Sequence, residues 1–397
     1  PPPPIVLAPL RDGRTWTWDV AHNPDPLSPA QVALVELVET RQLGAYELHV
    51  AAGYLYSSPR AAKISFTDEL SAALVTQCRE IEQRLDVLLA RPVSNLDDAR
   101  MLYLEVYEGW ANELSPRIGE LRDRVRAERS RVHRPSSIEA TLAAAARGAI
   151  DFAEVVRRIG AMSPTWDIAA VTFGERPELL QRAISLAPAI SPSPEPTSEN
   201  IDLESIVADL SERDDLLFAR AQLAIRKTTL AFADARGIDR DDIFWLEPGD
   251  YDLDFDTIKR KASAARAANE RASKWQMPLV VGGATATATT DLRGVGHGPR
   301  VVGRVVRFAS LAGAMFASAG DIVVVRAVTP ALAVFVGNCA ALVSETGGLL
   351  DHGAALAREL GITCVVGCAN AWTLLADGEL ITVDGDAGTI ERTPAAG

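Results

Sequence analysis

The spacing of apolar residues changes its period near residue 290, and that change limits the architectures open to this chain. Before it, Leu70, Leu74, Cys78, Ile81, Leu85 and Leu88 recur at three- and four-residue steps, which puts them on one face of a helix. Thr67 is the expected N-cap there, with Asp68 and Glu69 near the positive helix end. Similar runs cover residues 28–43, 97–129, 138–159, 203–236 and 256–272. After Asp291 the chain breaks into short β-branched runs at 301–308, 321–326, 341–344, 364–366 and 379–383, bounded by Gly, Pro or Asp. A helix at 352–360 sits among them. The chain therefore reads as multidomain: a mostly α-helical domain over 1–281, then a compact α/β domain over 291–397. Residues 282–290 (GGATATATT) read as a flexible joint, and 187–200 (APAISPSPEPTSEN) as a Pro/Ser-rich surface loop.

The 397 residues suffice for two or three domains, and an apolar share of 48% with 23% charged residues is that of a globular chain. A net charge of −13 argues against nucleic acid and anionic lipid as partners. Four cysteines are too few for a disulfide framework in a chain of this length, and no His pair or CxxC accompanies Cys364 and Cys368. No metal site is expected; reduced thiols and a cytoplasmic setting are. The opening Pro1 to Pro4 has neither the basic nor the long apolar region of a signal peptide. The most apolar stretch, 322–343, is interrupted by Arg326, Thr329, Pro330 and Asn338, so it reads as buried strands and not as a membrane span.

The chemistry concentrates in one segment. A strand ends near Ser344, Gly347 and Gly348 permit a tight turn and close backbone approach, and His352 then opens a helix. The free N–H groups of a helix start favour an anion there. The same positive end favours neutral imidazole over imidazolium, which keeps a ring nitrogen available as a nucleophile. Arg358 adds a cation for phosphate. Spacing alone leaves a capping or packing histidine as an equal reading.

The segment resembles the phosphohistidine domain of the phosphoenolpyruvate-utilising family, which includes pyruvate phosphate dikinase, phosphoenolpyruvate synthase and rifampicin phosphotransferase. The resemblance rests on Gly347-Gly348, His352, Ala357-Arg358-Glu359-Leu360-Gly361-Ile362 and Val365-Val366-Gly367. It extends to Leu292–Arg304, Gly320–Val324 and Val383–Thr389, and so covers 290–397. Upstream, Trp18-Asp19, Pro24–Pro29, Gly53–Tyr56, Arg220–Arg226 and Asp241–Leu246 are similar to the helical middle domain of rifampicin-phosphotransferase-like members. The resemblance implies a swivelling β/β/α domain in which His352 carries a phosphoryl group between two active sites. Gly347, Gly348, Asp351, Gly353 and Arg358 would support the phosphate. The helical domain would bind a small-molecule acceptor with a hydroxyl or carboxyl group, for which Trp18, His22, His49, Tyr54 and Tyr56 are the candidate residues. Phosphorylation could activate that acceptor for dehydration or condensation.

Two departures qualify the resemblance. Asp351 and Leu350 stand where the family usually has Thr or Ser, and a carboxylate beside the imidazole either caps the helix or raises the ring's basicity. No segment resembles the family's ATP-binding domain or its phosphoenolpyruvate-binding barrel. ATP and Mg²⁺ are therefore expected on a separate ATP-grasp-type subunit or on a part of the protein outside this sequence, with none bound tightly by this chain. Whether ATP or phosphoenolpyruvate is the donor is open at this stage. The alternative is a non-catalytic binding or regulatory protein that retains the family fold.

Overall fold

The computed structural model describes residues 4–60, 66, 68–128, 137–187, 203–282, 291–308, 316–336, 339–347, 357 and 361–392. The chain forms two compact units. One comprises Pro1–Leu121, Thr165–Val171 and Arg213–Thr285; the other comprises Arg122–Pro164, Thr172–Glu212 and Ala286–Gly397. The change of unit at Thr285 falls within the joint read at 282–290. Residues 122–164 and 172–212, however, group with the carboxy-terminal residues and not with the rest of 1–281.

Among the described residues the longer helices are α1 (Pro29–Thr40), α2 (Ser71–Leu89), α3 (Leu96–Gly109), α4 (Ser115–Glu128), α5 (Ser137–Ala146), α6 (Phe152–Ile159), α7 (Pro177–Leu186), α8 (Leu203–Arg236) and α9 (Phe255–Ser273). Local chemistry explains several ends. Ser28 caps α1, its hydroxyl accepting the Gln31 N–H, and Pro29 fills the first position, where no N–H is needed. Asn95, Asp151 and Asp254 cap α3, α6 and α9 in the same way. The expected cap of α2 is corrected. The helix starts after Leu70, whose extended backbone supplies no side-chain cap and whose side chain is exposed. Thr67 lies outside the described residues. The buried face of α2 is otherwise the one expected: Leu74, Cys78, Ile81 and Leu85. The run at 138–159 is two helices, because Gly148 at φ +70° breaks it between α5 and α6.

The first unit also holds a sheet that the helical reading of 1–281 did not include. Its strands are β1 (Trp16–Trp18), β2 (Tyr46–Ala51), β3 (Tyr54–Pro59) and β4 (Val280–Val281), antiparallel in the order β2-β3-β1-β4. Ala52 and Gly53 join β2 to β3 with φ of +51° and +88°, the left-handed pair of a two-residue hairpin turn. Helices α1, α3, the later part of α8 and α9 share one core in this unit, built on Leu34, Val38, Leu102, Val106, Ile225 and Ile258.

The second unit carries a seven-stranded mixed sheet. Its strands are β5 (Val295–His297), β6 (Arg300–Arg307), β7 (Asp321–Val325), β8 (Ala341–Ser344), β9 (Thr363–Val366), β10 (Leu380–Asp384) and β11 (Thr389–Arg392), in the order β11-β10-β6-β7-β8-β9-β5. The four strands β6, β7, β8 and β9 are parallel; β5 and β10 pair antiparallel to β9 and β6, and β11 pairs antiparallel to β10. Residues of β7, β8 and β9 are buried almost throughout, as parallel strands covered on both faces must be. Val305, Ile322, Val324, Val343, Val365, Ile381 and Val383 pack with Trp372 and Leu375 on one side of the sheet. These strands match the runs read from the sequence, and the apolar stretch 322–343, read as buried strands, holds two strands with a short helix between them. No described helix is long and apolar enough to cross a membrane.

Candidate active site

The four parallel strands run the same way, so their carboxyl ends lie side by side: Arg307 closes β6, and Arg326, Glu345 and Gly367 follow β7, β8 and β9. In open α/β sheets this edge is where ligands bind. Backbone bonds fasten the loops there. Thr346 N–H and its hydroxyl both donate to Arg326 O at 3.0 Å, and the Gly367 N–H donates to Thr346 O at 3.1 Å. Cys368 N–H donates to Ser344 O at 3.0 Å.

Two motif glycines meet at this edge. Gly347 has φ +106° and Gly367 φ +68°. A Cβ on Gly367 would stand 2.7 Å from Gly347 O, nearer than such atoms approach. The glycines are thus required for the loop after β8 to lie against the loop after β9. That first loop leads into His352. His352 itself, with Gly348, Asp351, Gly353 and Arg358, lies outside the described residues; of the expected phosphate-supporting residues only Gly347 is described. Beyond them, helical Ala357 accepts the Ile362 N–H at 2.9 Å while Gly361 takes φ +67°. That is the closing arrangement of a helix ended by glycine, and it explains why Gly361 and Ile362 belong to the motif.

Around the glycines sits a charged group that the sequence reading did not single out. Glu345 is buried, and its Oε1 accepts the Trp372 N–H at 3.0 Å. Arg326 Nη1 lies 3.8 Å from Glu345 Oε2. The guanidinium groups of Arg307 and Arg326 stand over the Trp372 ring at 4.8 and 5.4 Å, and Arg307 Nη1 also donates to Trp372 O. Burial pushes the Glu345 carboxyl above its ordinary range, against the pull of Arg326. Burial, then the charge of Glu345, pushes the Cys368 thiol up to about 11, so it stays protonated and inert near neutrality. Two arginines at the edge that launches the His352 segment are suited to anionic oxygens. Their signal was available: each directly ends or follows a β-branched run at the carboxyl end of a parallel strand. Among the described residues no group of three or more His, Cys, Asp or Glu could hold a metal ion.

In the first unit the five candidate acceptor residues part company. Tyr54 and Tyr56 are buried and donate their hydroxyls to Ala272 O (3.0 Å) and Pro278 O (2.7 Å), which ties β3 to the returning chain. Trp18 is buried edge-on to Tyr54 at 5.1 Å and donates its indole N–H to Asn23 O. His49 lies on β2 edge-on to Trp16 at 5.9 Å. His22 is different. It is partly exposed, its Nδ1 is 2.8 Å from Asp19 Oδ1, and its ring stacks on Trp166 at 3.8 Å. Trp166 in turn lies 4.2 Å from Phe218 and 6.3 Å from Trp110. Burial pulls the imidazole down, but the charge and hydrogen bond of Asp19, then the charges of Asp215 and Asp214, outweigh it and raise it to about 9. Trp110, an aromatic residue in a helical run, looks like core, and Trp166, in the stretch between two helical runs, carried no motif.

Residues 317–388 match the family model of the PEP-utilising enzyme mobile domain. This part of the chain resembles the mobile domain of that family. The chain is 47% identical over 73 residues to the rifampicin phosphotransferase of Streptomyces sp, covering 18% of this chain and 8% of that protein. It is 42% identical over 71 residues to the uncharacterized phosphotransferase YvkC of Bacillus subtilis, covering 18% and 8%. An uncharacterized protein of Mycobacterium bovis is 30% identical over 247 residues, covering 56% of this chain and 29% of that protein. That last match is longer than the mobile domain, so similarity continues into the preceding residues. The chain spans less than a third of the length of each of these relatives.

Proposed function

We propose that this chain is the phosphohistidine and acceptor-binding part of a phosphotransferase. The observation that supports this most is the contact of Gly347 with Gly367 beside Arg307 and Arg326, at the edge from which the His352 segment departs, in a domain of the mobile-domain family. Relatives whose names state an activity include phosphotransferases, phosphoenolpyruvate synthases and a chondramide synthase.

The proposed cycle has two half-reactions. An imidazole nitrogen of His352 attacks the donor phosphorus; an N–P bond forms, the donor P–O bond breaks, and the ring proton leaves with the donor fragment. An acceptor hydroxyl then attacks the same phosphorus; an O–P bond forms, the N–P bond breaks, and the hydroxyl proton ends on the released imidazole. ATP with Mg²⁺ on an ATP-grasp-type partner is the proposed donor system, and residues 282–290 the joint on which the domain turns between partners. The four cysteines are buried, and so few thiols in a chain of this length suit a reducing cytoplasm.

The test needs no partner. Phosphoramidate donates a phosphoryl group directly to reactive imidazoles, so the full chain should acquire one acid-labile, base-stable phosphate, mapped by mass spectrometry to His352. His352→Ala should acquire none there. Equal labelling of the variant, or labelling confined to other histidines, removes His352 from the mechanism.

A further inference from the structure

One place in the first unit departs from ordinary packing in several different ways. Helix α3 does not pass directly into α4: Trp110–Leu114 form a π turn, in which the Ser115 N–H reaches back to Trp110 O. Such turns add a residue to a helix at a cost in backbone geometry and recur at binding sites. The turn carries Trp110 into the aromatic group of Tyr107 (5.3 Å), Phe218 (5.5 Å) and Trp166 (6.3 Å). There the Trp110 indole N–H is buried without a hydrogen-bond partner among the described residues. So is Oδ1 of Asn23, a side chain that is 3% exposed and whose Nδ2 donates to Asp19 Oδ2. Buried polar atoms left unpaired in a native protein call for an explanation, and a ligand that pairs with them is one.

Trp166 is the fixed part of this site. Its N–H donates to His22 O at 2.9 Å and its carbonyl accepts from Gln222 Nε2 at 2.7 Å. The next residue, Asp167, accepts from the N–H and hydroxyl of Ser28 at 2.6 and 2.7 Å. The indole is thus held by backbone and carboxylate bonds from three separate stretches of chain, while its ring remains partly exposed. His22 lies on it face to face with Nδ1 committed to Asp19. That leaves Nε2 as the nitrogen able to meet a ligand.

We propose that the aromatic surface around Trp166 is the acceptor site, and that it takes a planar aromatic molecule whose neutral hydroxyl meets His22. This rests on the phosphotransferase reading and narrows its acceptor. The aromatic walls favour a flat ring. The carboxylates of Asp19, Asp214 and Asp215 all act on the imidazole of His22. They keep it charged, and they oppose an acceptor that brings its own negative charge. A carboxylate acceptor is therefore disfavoured against a hydroxyl. The charged imidazole donates to the hydroxyl oxygen and stabilises negative charge that develops there as the proton leaves.

The test is binding, independent of phosphoryl transfer. 1-Naphthol and 1-naphthoate share one ring system and differ in charge, and each is titrated by fluorescence against the full chain. Saturable binding of 1-naphthol is expected, with 1-naphthoate at least ~tenfold weaker. His22→Gln and Trp110→Phe, chosen to keep volume and aromaticity, should each weaken 1-naphthol by about tenfold while circular dichroism and Tm stay near wild type. No saturable binding, equal affinity for both probes, or unchanged affinity in both variants overturns the proposal. His352→Ala should bind 1-naphthol like wild type. Failure of binding with His352 still labelled sinks only this inference; failure of labelling with binding intact sinks the transfer reading.

Discussion

The pairing of His22 with Asp19 makes a quantitative claim about pH. The ordinary imidazole value is 6.5, and in the folded chain it rises to about 9. Burial, the largest single influence, opposes the rise; Asp19, Asp215 and Asp214 overcome it. A group whose folded value is raised stabilises the fold fully below its unfolded value, and the stabilisation is lost as pH climbs through the folded one. The window is therefore pH 6.5 to 9. At ~1.4 kcal/mol per unit the rise corresponds to at most ~3.5 kcal/mol. The His22 side chain is 30% exposed and solvent screens the pair, which reduces this to on the order of 1–2 kcal/mol. The cysteine thiols with raised values, Cys368 at about 11 and Cys78 and Cys339 at about 12, titrate above the window; Asp12 and Glu154, at about 2, titrate below it. Urea unfolding of wild type and His22→Gln across the window should show the wild type losing ~1–2 kcal/mol relative to the variant as pH rises. In Asp19→Asn the imidazole resonances, followed by NMR, should titrate at least about one unit lower than in wild type. A flat difference between wild type and His22→Gln, or an unmoved titration in Asp19→Asn, refutes the pairing.

Two further outcomes concern the edge of the mobile domain. Gly367→Ala adds a Cβ that meets Gly347 O at a left-handed φ, so it should cost at least ~1–2 kcal/mol in thermal or urea unfolding, and the displaced loop should slow phosphoramidate labelling of His352. Glu345→Ala strips the acceptor from the Trp372 N–H and the carboxylate from Arg326, at about 1–3 kcal/mol; Glu345→Gln, which keeps an oxygen there, should cost less than half as much.

What the sequence displayed and what it hid follow from the range of the interactions involved. The strands β7 to β9 were legible because parallel strands buried on both faces are written as continuous β-branched runs. Helix α8 was legible to its ends from periodicity over 34 residues. The first sheet was harder, since β1 and β4 have three and two residues and pair across most of the unit's length. Yet the alternation in YELHVA and YLYSSP around Ala52-Gly53 was a hairpin signal that the helical reading passed over. At the site, Gly347 and Gly367 each announced a special backbone, but only the fold shows that each is needed because of the other. The Trp110, Trp166 and His22 group was out of reach, because no local rule joins residues so far apart in the chain. Tyr54 and Tyr56 looked like pocket walls and serve as clamps for the same reason.

The strand order of the second unit fixes where that unit can be cut. Strand β6 precedes the family-matched span 317–388, yet in the sheet it lies between β7 and β10, both of which are inside it. A fragment of the matched residues alone would hold β7, β8 and β9 with an open edge where β6 belongs, and β10 without either of its neighbours, β6 and β11. The smallest self-consistent sheet runs from β5 through β11, and β5 cannot pair until β9, the better part of the domain later, has been made. During synthesis this unit therefore waits for nearly its whole length before it can close. Pairing that waits this long slows folding and leaves strand edges exposed to aggregation when translation is interrupted.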